Sequence, residues 1–236
     1  MAAYESSTAY RGKYCGAVIV AAGSASRMEG IDKALALLGG EPVILQTVKA
    51  FQKCSAIEEI VIVTRQDLLE KIAQLTMPYE KVKAVVLGGA DRTQSVICGL
   101  AALSEKVELA AIHDGARPLI TPELIEKTVS AADFHGAAAP AIAVKDTIKN
   151  VQNHWVYGTP DRNSLRAVQT PQVFYLPDLR TALTQAVKDG AAITDDCSAL
   201  ERMGIPVYLV DGQESNLKIT TPVDLKVAEL LWEERQ

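Results

Sequence analysis

The chain has 236 residues, 48% of them hydrophobic and only 5% aromatic, and its formal net charge is −5. That length suits one large α/β domain or two small ones, with a core of Ala, Val, Ile and Leu. The acidic balance excludes a broad basic face, and with it general nucleic-acid or membrane-surface binding. It leaves room for a small basic pocket around one phosphorylated ligand.

Cys15, Cys54, Cys98 and Cys197 are dispersed, with no C-x-x-C pair. This argues against zinc and redox motifs and fits a reducing cytoplasm. Cys15 and Cys98 lie in apolar runs and are expected to be buried. No apolar stretch approaches the roughly 18 residues of a membrane helix, and the N-terminus has no hydrophobic signal core. Residues 1–13 are polar and small and read as a flexible tail, which leaves residues 14–236 as a single domain.

Along the chain, Cys15 to Ala22 is a continuous apolar run, as in a buried parallel strand. It closes in Ala21-Ala22-Gly23, followed by Arg27 and Lys33. Small residues and glycine let backbone approach a ligand, and the two cations suit a polyphosphate held by main-chain N–H groups. A glycine turn made for packing alone is the bland alternative. A helix follows over Pro42–Cys54, then a strand over Glu59–Thr64 and a short helix over Asp67–Leu75. A third strand, Lys83–Leu87, ends in Gly88-Gly89, and a helix runs from Arg92 to Leu103. The fourth strand, Leu109–His113, leads into Asp114-Gly115-Ala116-Arg117. Thr121 caps a helix to about Phe134, with Pro122 at its first position. Ala137–Val144 is a fifth strand.

Strand and helix alternation implies a Rossmann-like, mostly parallel twisted sheet covered on both faces. Ligands then sit at the carboxyl ends of the strands. The loops with special chemistry, after strands one, three and four, all fall on that edge. The rhythm breaks at Lys145. Asp146–Lys149 and Trp155–Tyr157 read as a hairpin turning over Asn150–His154, a projecting arm at about residues 145–165 that packs on another subunit, with an ordinary surface hairpin as the alternative. Helices over Pro177–Lys188 and Asp195–Met203, a strand over Val207–Val210 and an extended Asn216–Thr220 follow. Thr221 and Pro222 open a terminal helix to about Glu234.

The glycine turn is neither a G-x-G-x-x-G nor a Walker pattern, and Thr64-Arg65 stands where a ribose-binding acid would end strand two. Gly88-Gly89 and Ser95 can face a base, with a plain turn at Gly88-Gly89 as the alternative. Asp114 is the best placed carboxylate for Mg²⁺, which takes one or two carboxylates and fills its shell with phosphate oxygens and water; pairing with Arg117 is the alternative, and both can hold. His113, His135 and His154 lack metal-ligand spacing, and His113 reads as a satisfied core residue. No Ser/His/Asp set is apparent. A nucleophile that is already an anionic phosphate needs no base, only alignment and charge neutralisation. Arg27, Lys33 and Lys218 suit that work. Arg117, Thr147, Arg162, Thr170 and Thr194 suit a second phosphate or its polyol.

Taken in order, several segments resemble a known family: Ala21-Ala22-Gly23-x-x-x-Arg27-Met28 with Lys33, Gly88-Gly89-x-x-Arg92, His113-Asp114-Gly115-Ala116-Arg117-Pro118, Val144–Lys149, Gln169-Thr170-Pro171-Gln172, Thr194-Asp195-Asp196 and Asn216–Thr220. They look like the 2-C-methyl-D-erythritol 4-phosphate cytidylyltransferases of non-mevalonate isoprenoid biosynthesis, over about residues 14–232. The resemblance implies a nucleotidyltransferase fold of the glycosyltransferase-A-like kind and transfer of CMP from CTP to methylerythritol phosphate with release of pyrophosphate. It implies that Ala21, Ala22, Gly23, Gly89, Ser95, Asp114 and Gly115 line the CTP site, with Mg²⁺ at Asp114. Arg27, Lys33 and Lys218 would stabilise the transition state. Arg117, Thr170 and Thr194 would contact the acceptor, joined by Thr147 and Arg162 from the partner's arm in a homodimer. Departures are Ala25 for a usual glycine, Val20 for a common proline, Ala90 for the usual acid, a shorter Arg27–Lys33 step, and Asp32 where Pro or Asn is frequent. Another polyol phosphate, such as ribitol 5-phosphate, is the alternative acceptor. A non-catalytic nucleotide-binding protein is the alternative of another class.

Overall fold

The structure is a computed structural model and describes residues 12–23 and 32–235. The tail, apart from its last two residues, therefore lies outside the described residues, as do Ala25 and Arg27.

Strand β1 (Cys15–Ala21) is followed by two short strands that pair with each other, β2 (Leu37–Leu38) and β3 (Glu41–Pro42), and by helix α1 (Val43–Lys53). Next come β4 (Glu59–Thr64), a 3₁₀ turn at Gln66–Leu68, α2 (Leu69–Thr76), β5 (Val82–Leu87), α3 (Arg92–Ala101), β6 (Leu109–Asp114), α4 (Pro122–His135) and β7 (Ala137–Ala143). The second half holds β8 (Asn150–Gln152), β9 (Trp155–Gly158), β10 (Arg166–Val168), β11 (Gln172–Tyr175), α5 (Leu176–Lys188), α6 (Asp196–Arg202), β12 (Tyr208–Asp211) and α7 (Pro222–Glu233).

Strands β5, β4, β1 and β6 lie side by side and parallel, with β1 between β4 and β6. The runs of β1, β4 and β6 are largely buried on both faces, as a sheet covered on both sides requires, while β5 at the sheet's edge is half-buried or exposed. Alternation in β1 sends Ala17 and Ile19 into one core layer, with Val48 and Phe51 of α1 and Val129 of α4. Val18 points to the other layer, with Val96 and Leu100 of α3 and Leu179 and Leu183 of α5. A methyl group on Gly99 would lie 2.3 Å from Val18 Cγ1, so α3 packs this close to β1 only because residue 99 has no side chain.

The expected parallel sheet with helices on both faces is present, and the expected strands one to five correspond to β1, β4, β5, β6 and β7. The cap at Thr121 is present too, its hydroxyl accepting from Leu124 N at 3.3 Å. Two features differ from the sequence reading. β11 runs antiparallel between β6 and β7, and β10 continues its path along β7 after an interruption at Gln169–Pro171. At three and four residues these strands are too short to show a period. The hairpin is also shifted. Its strands are β8 and β9, with Gln152 opposite Trp155, and the turn is the pair Asn153-His154, both at positive φ (48° and 68°). A two-residue turn of that hand matches strand twist, which moves the pairing toward the turn and leaves Asp146–Lys149 outside it. Cys15 is buried as expected, and Cys98 is only half-buried.

Candidate active site

A cavity of about 560 Å³ opens at the carboxyl edge of β1, β4, β5 and β6. Ala21, Ala22, Gly23, Lys33, Gly89, Ser95, Asp114, Gly115 and Lys218 line it. The sheet thus brings together every expected nucleotide-side residue and two of the three expected catalytic cations; Arg27 lies outside the described residues.

The wall at the end of β5 is made by close backbone approach. A methyl group on Gly88 would meet Ala22 Cβ and Ser95 Oγ, each at 2.7 Å. Asp91 caps α3 by accepting from Gln94 N at 2.7 Å. Ser95 Oγ donates to Asp91 O (2.8 Å) and accepts from Gly89 N (3.2 Å), so its hydroxyl holds the glycine turn.

Asp114 ends β6 and is 8% exposed. Lys218 Nζ lies 2.8 Å from one carboxylate oxygen, Arg117 Nε 3.6 Å from the same oxygen, and Arg92 Nε 3.6 Å from the other. Burial works to raise this carboxyl. Lys218, Arg92 and Arg117 outweigh it and hold the group down to about 2. Arg92 in turn pairs with Asp196 at 2.8 Å. Burial works against the Arg92 charge, but Asp196 and Asp114 hold it above its ordinary value. Asp196 is wholly buried at the start of α6, where Gln172 of β11 accepts from its backbone N–H at 2.9 Å.

Lys218 reaches Asp114 because its segment is tied down rather than because it forms a strand. Ile219 N donates to Ala116 O (2.8 Å), Arg117 Nη1 to Asn216 O (2.7 Å), and the buried Asn216 amide to Thr170 O (3.0 Å). Thr170 is 4% exposed, and its Oγ1 accepts from Asp114 N at 3.1 Å. His113 Nε2 lies 3.3 Å from Arg117 O, which can only accept, so Nε2 carries the proton and Nδ1 accepts from Thr170 Oγ1 at 3.0 Å. Burial pushes His113 down to about 3. It is a neutral, satisfied core residue whose ring is tilted by 56° against that of Phe51 (4.9 Å between ring centres).

The expected acceptor-side residues are scattered. Arg117 adjoins the cavity through Asp114, and Thr170 lies behind Asp114. Thr194 is exposed, immediately before the Asp195 cap of α6. Thr147 and Arg162 are exposed at the base of the β8–β9 arm, where Arg162 Nη1 donates to Lys145 O at 2.8 Å. Three residues of the site had no assigned role in the sequence: Arg92, Asp196 and Arg65. The tandem Asp195-Asp196 opening a helix, and an arginine just after the Asp91 cap, were the available signals.

Among protein families, the one described as 2-C-methyl-D-erythritol 4-phosphate cytidylyltransferase matches residues 15–234. The chain is 44% identical over 219 residues to the enzyme of that name from Symbiobacterium thermophilum, covering 92% of each chain. It is 42% identical to that of Caldanaerobacter subterraneus subsp. tengcongensis, covering 91% of this chain and 96% of the other. Among solved structures it is similar to 4-diphosphocytidyl-2C-methyl-D-erythritol synthase from Anaerococcus prevotii, with a TM-score of 0.85 and 31% identity over 94% of this chain and 97% of that one. The parallel sheet, the cavity at its carboxyl edge and these matches lead to one conclusion: the chain belongs to the 2-C-methyl-D-erythritol 4-phosphate cytidylyltransferase family.

Proposed function

We propose that the family's reaction runs in the cavity at the carboxyl edge of the sheet. An oxygen of the methylerythritol phosphate attacks the α-phosphorus of CTP. The bond from that phosphorus to the bridging oxygen breaks, and pyrophosphate leaves with the electron pair. The observation that carries this placement is the cluster of Lys218, Arg92 and Arg117 around Asp114, beside Lys33 and the open backbone of Ala21–Gly23.

Ala21, Ala22, Gly23, Gly89 and Gly115 bring main-chain groups to the nucleotide, and Ser95 fixes Gly89. Arg27, Lys33 and Lys218 offset charge at the α-phosphate as the attacking and leaving oxygens share it. Arg117 and Thr194 take the acceptor, and Thr170 acts through Asp114, since its hydroxyl is already bonded on both sides. No base is needed. His113, the one imidazole at the site's edge, is held neutral, and the acceptor phosphate is anionic when it arrives.

The residues present fit a magnesium ion that arrives with the nucleotide. The described residues contain no cluster of three or more His, Cys, Asp or Glu able to cage a metal. Of the three aspartates lining the cavity, Asp32 is held by Arg65 and Asp91 caps α3, so Asp114 is the carboxylate that would hold Mg²⁺ alongside phosphate oxygens and water. When bound, the ion neutralises phosphate charge.

The working form is a homodimer in which the arm crosses to the neighbour. Trp155 (80%), Tyr157 (70%), Val156 (58%) and Val151 (54%) are exposed on a two-stranded hairpin that buries little alone. Thr147 and Arg162 at its base then serve the partner's site. A cytoplasmic setting fits four free thiols and the absence, among the described residues, of a helix long and apolar enough to cross a membrane.

A pyrophosphate-release assay with CTP and methylerythritol phosphate tests the reaction, and no release above background overturns it. Running ribitol 5-phosphate in parallel compares kcat/KM for the two acceptors. For the arm, Arg27→Ala and Arg162→Ala proteins are mixed under proven subunit exchange. A crossing arm leaves one of the two sites of each mixed dimer intact and restores activity; a mixture as inactive as its parents rejects the crossing.

A further inference from the structure

Arg65 stands directly after β4, where a dinucleotide-binding sheet carries an acid, and Asp32 is a departure from the family's pattern. The structure joins the two. Arg65 Nη1 donates to Gly23 O at 3.0 Å, and Nη2 lies 2.6 Å from Asp32 Oδ2. Nε and Nη2 also form a two-point fork on Asp67, at 3.0 and 2.9 Å. Asp32 passes that hold onward. Its Oδ1 accepts from Ala34 N (2.9 Å), and its carbonyl accepts from Leu35 N (3.2 Å) and Ala36 N (2.8 Å). Lys33 sits inside this turn and lines the cavity.

We propose that Arg65 is a positioning residue that pins Gly23 and Asp32 to the end of β4 and so sets Lys33 at the triphosphate. This rests on Lys33 acting on the α-phosphate, as above. Two features separate it from a direct phosphate ligand. Its charge faces two carboxylates, Asp32 and Asp67, so the local sum repels an anion. Four of the five N–H groups of a guanidinium are engaged by Gly23, Asp32 and Asp67. Electrostatic help costs no reorganisation only when the cation is already in place, and a misplacement of about 1 Å can cost on the order of 100-fold in rate. Lysine cannot reproduce this arrangement, because its ammonium is a point charge without a planar fork.

The test uses the full chain with CTP and methylerythritol phosphate. Arg65→Ala, Arg65→Lys and Asp32→Asn should each lower kcat/KM for CTP by about 10- to 100-fold, while KM for the acceptor at saturating CTP stays within about twofold. Lys33→Ala should lower kcat on its own. Adding Arg65→Ala to Lys33→Ala should then lower it no further than about twofold, because the guanidinium acts through that lysine. Multiplying effects in the double variant overturn the proposal, as does full activity of Arg65→Lys. Unchanged or improved CTP use by Asp32→Asn also overturns it, since freeing Arg65 helps only a direct ligand. An inert Lys33→Ala instead rejects the role of Lys33 itself, and the proposal with it. If Arg65→Ala does not fold, Asp32→Asn removes the same anchor from the other side.

Discussion

Replacing Asp114 by Asn removes a carboxylate that three cations share. Its carboxyl is held at about 2 by Lys218, Arg92 and Arg117 against the burial that would raise it, compared with about 3.9 in an open chain. At 1.36 kcal/mol per tenfold, that difference corresponds to about 2–3 kcal/mol of folding free energy near neutrality. In the variant Arg92 and Arg117 also lose this counter-charge while largely buried, so the loss is at least of this size. For a chain of this length Tm should fall by about 5–10 °C. The sign follows from the direction of the shift. A depressed carboxyl stabilises fully above the unfolded value and loses that contribution as pH falls toward its folded value. The gap in Tm between wild type and Asp114→Asn should therefore be full near pH 7 and narrow below about pH 4. Thermal melts followed by far-UV circular dichroism read it directly. Equal melting near pH 7, or a gap that does not narrow on acidification, refutes the reasoning. In the same variant CTP should still bind, because the cations remain, while turnover falls.

His113 is held neutral by burial at about 3, so the folded state binds fewer protons than the unfolded chain between there and the ordinary value of about 6.5. Stability should drop as pH falls through that window, and His113→Gln should flatten the slope in urea titrations taken across it. Thr170→Val leaves the buried Asp114 N–H without its acceptor and should cost about 1–3 kcal/mol by denaturant unfolding, whereas Thr170→Ser, which keeps the hydroxyl, should cost far less. Trp155→Ser and Tyr157→Ser together should weaken self-association, measured by sedimentation, with little change in far-UV circular dichroism, since both side chains are exposed in the single chain.

The first half of the fold was legible because each strand there is a long apolar run and each helix has a period. β1 and β6 declare themselves by Cys15–Ala21 and Leu109–Ile112, and Gly23, Gly89 and Asp114 then fall on one edge by topology alone. β10 and β11 were not legible. Gln172 and Phe174 become inner positions only because β6 and β7 stand on either side, a fact that local pattern does not carry. The same holds for the charge network. Arg92 and Asp196 are 104 residues apart in sequence, and nothing near either one announces the other. Arg65 was visible as a missing acid, but its bond to Asp32 appears only once β4 lies beside β1.

The placement of β11 also sets a timetable for the chain during synthesis. Within the main sheet β7 pairs with β10, β11 and β12, and all of them follow it in sequence. A ribosome that has delivered residues 1–165 has released the apolar Ala137–Ala143 with no strand to receive it, and β6 with one edge bare. Such edges are templates for the wrong neighbour. Nascent chains stalled before Gln172 are therefore the vulnerable population, and a chaperone would meet this protein there. Arrival of Gln172–Tyr175 fills the gap between β6 and β7 and brings Thr170 to Asp114, while the other edge of β7 waits for β12 and Gln172 waits for Asp196. The cavity is finished later still, when residues of the last strand and beyond arrive and Lys218 reaches Asp114.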